Sequence, residues 1–255
     1  MIDKTQTSID EAIGRITSGS SVAVGGFGRS GVPVGLVDAL LESGADDLHV
    51  ICNNCGLDGW GLGRLLEAGR IAKVTMTYLG ENKALARMFL NGDVEIELVP
   101  QGTLAEKLRC GGAGIPAFYT RTGAGTLVER GGIPIRHDVH GQVVATQEPK
   151  PTAEFDGTTY LLERSIVPDF ALVHAAQADR FGNLRFRVTA RNFNPVFATA
   201  GVVTLVEADE ILESGRLDPD DVHLPGVYVD HILPAVGEPP IAEKATVTNP
   251  ARKGA

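Results

Sequence analysis

Asn53 and Asn54 stand just past the apolar run Leu48-His-Val-Ile51. A side-chain amide at the carboxyl end of a strand, where open α/β sheets place their ligands, can donate to a carbonyl oxygen that turns negative during acyl transfer. Asparagine is also a turn former, and the pair by itself fits that role equally well. Gln101, within Pro100-Gln-Gly-Thr103, offers a second amide at a strand end. Gly26-Phe-Gly28-Arg-Ser-Gly31 has the G-x-G-x-x-G spacing with which a strand-to-helix turn cradles a dinucleotide pyrophosphate. The acidic residue that would read the ribose should end the next strand, yet Ile51-Cys52-Asn53 occupies that place. The turn can equally admit another ligand to the backbone, or simply be tight. Cys52-Asn-Asn-Cys55 has the spacing of a redox pair or half a zinc site. Cys110 is isolated and His137 and His140 form only a loose pair, so two small buried residues at a strand end are the better reading. Glu81 directly precedes a helix, where a carboxylate is welcome for dipole reasons alone. Asp58, Asp179, Asp209 and Glu210 have no spacing to a base or nucleophile, and there is no G-x-S-x-G elbow. No self-contained catalytic set is visible.

These residues need strand ends and helix starts to position them, and the first half alternates between the two as βαβ units do. Ser8 to Glu11 forms a capping box opening a helix with Ile13 and Ile16 on its apolar stripe and Gly19 as its stop. Strands are expected over Val22 to Gly25, Leu48 to Ile51, Ala72 to Tyr78 and Glu95 to Val99. Helices are expected from Pro33 to Gly44, over Lys83 to Leu90, and from Thr103, whose spacing to Glu106 is a second capping box. Gly111 to Gly132 reads as a structured loop region and Val139 to Pro151 as a hairpin or excursion. Thr159 to Leu162, Phe170 to Val173, Leu184 to Arg187 and Val202 to Val206 then read as one further sheet section. A helix over Pro195 to Ala200 and a strand over Val227 to Ile232 close one domain, residues 1–236, before a Pro- and Ala-rich tail, 237–255, expected to be disordered.

Composition excludes several classes. The 255 residues carry a formal net charge of -9 without any cluster of basic and aromatic residues, so nucleic acid is not the expected partner. No apolar run approaches the roughly 20 residues of a bilayer span. Three cysteines and no signal pattern at the N-terminus make a reducing, cytoplasmic compartment the expectation. The 31 glycines call for explanation, since glycine weakens helices and strands.

The motifs taken together resemble one family. Val24-Gly-Gly-Phe-Gly28 with Gly31 and Pro33, Asn53-Asn54 with Gly56, Tyr78-Leu-Gly-Glu-Asn82, Pro100 to Glu106, Gly111 to Thr120, Gly123 to Thr126, Ala178 to Leu184, Ala190 to Asn194, Leu217-Asp-Pro and Leu224-Pro-Gly226 are similar, in order, to the A (α) half of family I CoA-transferases. The resemblance implies an open, mixed or parallel α/β sheet flanked by helices. It also implies an enzyme moving CoA from succinyl-CoA to a 3-oxoacid, acetoacetate or 3-oxoadipate, within an α2β2 heterotetramer. The nucleophile is then a glutamate of the B subunit, in a Ser-Glu-Asn-Gly-like motif, which carries CoA as a thioester. Glu81 aligns with the A half's own motif and is not assigned as nucleophile. No metal and no cofactor are implied, the CoA thioester being a substrate. The resemblance makes Asn53 an oxyanion-hole donor and places Tyr78 and Gln101 towards the substrate. It leaves Gly25, Gly26, Phe27, Gly28, Gly112, Ala113 and Gly114 to let main chain approach substrate or partner. Cys52 and Cys110 replace small residues usual in the family, and Asp58-Gly-Trp60 departs further, which bears on the acid accepted. Three other readings stay open: an acyl-CoA hydrolase on the same scaffold, an NAD-binding dehydrogenase built on Gly26 to Gly31, and a non-catalytic regulatory or scaffolding subunit.

Overall fold

The computed structural model describes residues 2–80 and 82–236, so Glu81 and the tail expected to be disordered lie outside the described residues. A short helix α1 (Ile9–Ile13) begins where Ser8 Oγ accepts the Glu11 N–H at 3.2 Å. Strand β1 (Ser21–Val24) then runs into helix α2 (Val34–Ser43), which Gly44 ends at φ 78°. The alternation continues through β2 (Leu48–Cys52), α3 (Leu62–Glu67), β3 (Ile71–Met76), α4 (Lys83–Leu90), β4 (Glu95–Leu98) and α5 (Gln101–Gly112). An excursion follows, with β5 (Ala117–Thr120), α6 (Leu127–Arg130), β6 (Pro134–His137), β7 (Val143–Thr146), β8 (Thr152–Phe155) and β9 (Thr158–Arg164). The chain returns as β10 (Phe170–Asp179), β11 (Leu184–Arg185), α7 (Asn194–Ala200), β12 (Val203–Leu212) and β13 (His231–Pro234).

The main sheet has the order β13-β12-β10-β1-β2-β3-β4, every pair along it parallel, with β11 antiparallel on β10. The early strands wind one way from β1 and the late strands the other. That reversal opens a crevice at the carboxyl ends of the central strands, where ligands of such folds bind. Period-two alternation sorts the core. Val22, Val24, Val50, Leu172 and Leu205 pack under α1 to α4, while Ala23, Ile51, Val173 and Val206 face α5 and α7. α5 and α7 cross closely because Gly112 brings no side chain to their contact: a Cβ there would overlap the Thr199 carbonyl.

Several expectations need correction. α1 ends at Gly14, whose N–H bonds the Asp10 carbonyl at 2.8 Å, so Ile16 is buried beyond the helix rather than on it. α5 starts two residues before Thr103, with Pro100 at its cap; Thr103 is buried inside the helix and its Oγ1 has no partner among the described residues, so no second capping box forms. α3 lies where no helix was expected. Residues 111–132 hold the end of α5 together with β5 and α6. The segment at 158–164 does not extend the main sheet: β9 is the middle of a separate antiparallel sheet, β5-β9-β8. Residues 226–228 form a 3-10 turn, and the last strand starts only at His231.

Candidate active site

Four consecutive strand ends are tied by one run of hydrogen bonds. After β1, the Gly28 N–H donates to Asn54 Oδ1 at 2.9 Å. After β2, Asn53 Nδ2 donates to the same oxygen at 3.0 Å. Asn53 Oδ1 accepts from Thr77 Oγ1, just past β3, at 2.8 Å and from Gln101 Nε2, at the start of α5 beyond β4, at 2.9 Å. The Asn53 carbonyl also receives the Thr77 N–H at 3.0 Å, which pins the backbone. Asn53 is 2% exposed, so its rotamer is held from all sides. Two donors on Oδ1 and one amide hydrogen given to Asn54 leave a single N–H of Asn53 to donate elsewhere.

Asn53 lines an open cleft of about 430 Å³ together with Phe27, Gly28, Arg29, Asn54 and Tyr78. Tyr78 is 63% exposed at its rim. Among the described residues that line the cleft there is no carboxylate and no thiol. Gln101 reaches Asn53 from a neighbouring, more apolar groove of about 440 Å³, which it shares with Phe27, Asn192 and Phe193. Phe27 is the wall between the two. Gly25 and Gly26 lie buried behind it. A Cβ on Gly25 would overlap Asn194 Oδ1, and the fully buried Asn194 is the clamp between sheet and turn. Its Oδ1 accepts the His174 N–H at 3.1 Å, and its Nδ2 donates to the Gly31 and Ala190 carbonyls at 2.9 Å. Gly112, Ala113 and Gly114 are not brought to this cleft; they end α5, the helix whose first residue is Gln101.

The turns after β1 and β2 are built alike, a likeness their sequences hide. Phe27 and Ser30 bridge each other between Gly26 and Gly31; Leu57 and Trp60 do the same between Gly56 and Gly61. Asp58 Oδ1 accepts the Ala84 N–H at 3.1 Å, and Asn82, which caps α4, donates to the Cys55 carbonyl at 2.9 Å. Thr77, Arg29 and Asn194 are the residues sequence reading passed over. A hydroxyl one residue past a strand was the available signal for Thr77; Arg29 sits inside a glycine turn that reads as punctuation.

Two alternatives lose support from local chemistry. A pyrophosphate on the glycine turn needs the first amides of α2. The Glu207 carboxyl already sits at this helix start, accepting the Leu36 N–H at 2.9 Å, and the Val34 N–H is bonded to the Val32 carbonyl. Cys52 and Cys55 are both free and buried, and burial pushes the Cys52 thiol well above its ordinary value, the opposite of a reactive thiolate.

Fold and cleft together define an open α/β protein with a candidate ligand site at its central strand ends. The pattern of the Coenzyme A transferase family matches residues 6–235, and the chain belongs to that family. It is 52% identical over 246 residues, 96% of this chain and 99% of the relative, to the A chain of the probable succinyl-CoA:3-ketoacid coenzyme A transferase of Mycobacterium tuberculosis. It is 46% identical to the corresponding A chain of the Helicobacter pylori succinyl-CoA:3-ketoacid coenzyme A transferase, covering 91% of this chain and 92% of that one. Both relatives are named as single subunits of their enzymes. Among solved structures, an Escherichia coli O157:H7 acyl-CoA transferase superposes with TM-score 0.78 at 22% identity, over 91% of this chain and 47% of the other. The chain thus spans about half of that longer protein, and the likeness is one of fold. Among the described residues no helix is long and apolar enough to cross a membrane.

Proposed function

We propose that this chain is the α half of a heteromeric CoA-transferase that moves CoA from succinyl-CoA to a 3-oxoacid, acetoacetate or 3-oxoadipate, through a thioester on a glutamate of the B subunit. The observation that carries the reading is the Asn53 amide, locked by Thr77 and Gln101, lining a cleft whose described residues offer no carboxylate or thiol. Attack on a thioester carbonyl moves negative charge onto its oxygen. A donor held in advance in a partly dry site stabilises that charge without reorganising. The attacking carboxylate must then come from elsewhere, and the naming of the relatives as one subunit of their enzymes supports a second chain as its source. CoA passes to the partner's glutamate and from it to the acceptor acid, so the expected kinetics are ping-pong.

The test is assembly with the B subunit carrying the Ser-Glu-Asn-Gly motif. The complex is expected to form acetoacetyl-CoA from succinyl-CoA and acetoacetate, while either chain alone is inactive. Transfer by this chain alone would overturn the reading. Release of CoA without an acceptor acid would make the complex a hydrolase.

A further inference from the structure

The cleft that Asn53 lines contains, among its described residues, a single cation, Arg29. It projects from the turn after β1, and its guanidinium carbon lies 5.8 Å from the ring centroid of Trp60, in the matching turn after β2. Both side chains are half-buried. A guanidinium over an indole ring gains a cation–π attraction and keeps N–H donors for a planar anion. Arg29 Nε is shielded from solvent and has no hydrogen-bond partner among the described residues. A carboxylate entering the cleft would meet the terminal guanidinium nitrogens at its wall, where a charge-assisted hydrogen bond can form.

We propose that Arg29, seated on Trp60, binds the free carboxylate of a dicarboxylic acyl group while the thioester carbonyl lies at Asn53. This rests on the CoA-transferase reading above and specifies which acyl groups that cleft favours. Succinyl and 3-oxoadipyl thioesters carry such a carboxylate; acetoacetyl-CoA, whose acid carbon is in the thioester, does not. The unusual stretch Asp58-Gly-Trp60 thereby gains a role: it supplies the platform on which the cation rests.

The deciding measurement is the ratio of kcat/KM for succinyl-CoA to that for acetoacetyl-CoA in the assembled enzyme. Arg29→Leu is expected to lower this ratio about 10- to 100-fold, the range of a charge-assisted hydrogen bond, mainly through KM for succinyl-CoA. Arg29→Lys, a point charge without the planar fork, should recover part of it. An unchanged ratio overturns the proposal, including the case where both values fall together. That pattern would mean a structural role or a contact with the CoA moiety common to both thioesters.

Trp60 is the chain's one tryptophan, so it reports on Arg29 independently of turnover. Succinate should shift its emission in the complex, with Trp60→Phe subtracting the partner's signal, and Arg29→Leu should abolish the shift. No shift, or one that persists in Arg29→Leu, counts against the proposal. If the wild-type complex moves no CoA from either thioester, the functional reading falls and the emission titration alone decides on Arg29.

Discussion

Asn53 illustrates how a neutral side chain becomes a directed electrostatic device. Its oxygen is occupied by Thr77 and Gln101 and half its nitrogen by Asn54, so the remaining N–H has little freedom to turn. Replacing Asn53 by Ala should lower kcat of the assembled enzyme by about 10² to 10³, with a smaller change in KM, because the donor acts on charge that appears only during reaction. Steady-state kinetics on succinyl-CoA would show it, and a loss confined to KM would reassign Asn53 to ground-state binding. The strand-end amide itself was legible, since Asn53 directly follows a buried apolar run. Its partners were not, because Thr77 and Gln101 lie 24 and 48 residues further along the chain, and only the parallel register of β2, β3 and β4 brings them together.

At the scale of elements, local signals worked where one residue decides the outcome. Gly44 ends α2 in the left-handed conformation, and Asn82 caps α4 by accepting the Leu85 N–H at 2.8 Å. They failed where tertiary packing decides. Thr103 and Glu106 carry a capping-box spacing, yet the helix begins at Gln101, because the chain leaves β4 through Pro100 directly into its first turn. The alternation of β9 identified a strand but not its sheet. Charge helps fix that small sheet to the body, beside the Ile166 N–H bond to the Lys107 carbonyl at 3.0 Å. Glu163, 2% exposed on β9, accepts Lys107 Nζ of α5 at 2.9 Å and also pairs with Lys150. Glu163→Gln would leave Lys107 buried with its charge uncompensated, a loss of roughly 3 to 5 kcal/mol, read from the urea midpoint. An unchanged midpoint would show that apolar contacts hold the sheet by themselves.

For the molecule as a whole, Glu207 joins the two halves of the chain, reaching from β12 to the first turn of α2. Burial pushes its carboxyl from an ordinary 4.5 up to about 8, and the α2 amides, which pull the other way, do not offset it. The folded state therefore binds a proton that the unfolded chain releases. The contribution of Glu207 is full below about pH 4.5, declines as pH rises, and is lost above about pH 8. Glu207→Gln, which cannot ionise, should gain on the wild type by on the order of a few kcal/mol between pH 5 and pH 8. Denaturation curves at both pH values would show it; a constant difference would place the ionised carboxylate comfortably at the helix start.

The strand order also sets a timetable for synthesis. Val22 of β1 pairs on one side with Val50 and on the other with Phe170. The first side can close while the nascent chain is short. The second must wait for Phe170, 148 residues beyond Val22, about 7 to 30 s of translation at roughly 5 to 20 residues per second. Until β10 emerges from the ribosome, the central strand of the finished protein is an open sheet edge, the kind that recruits stray strands from other chains. Aggregation during expression should therefore depend on how quickly the ribosome crosses the excursion between α5 and β10.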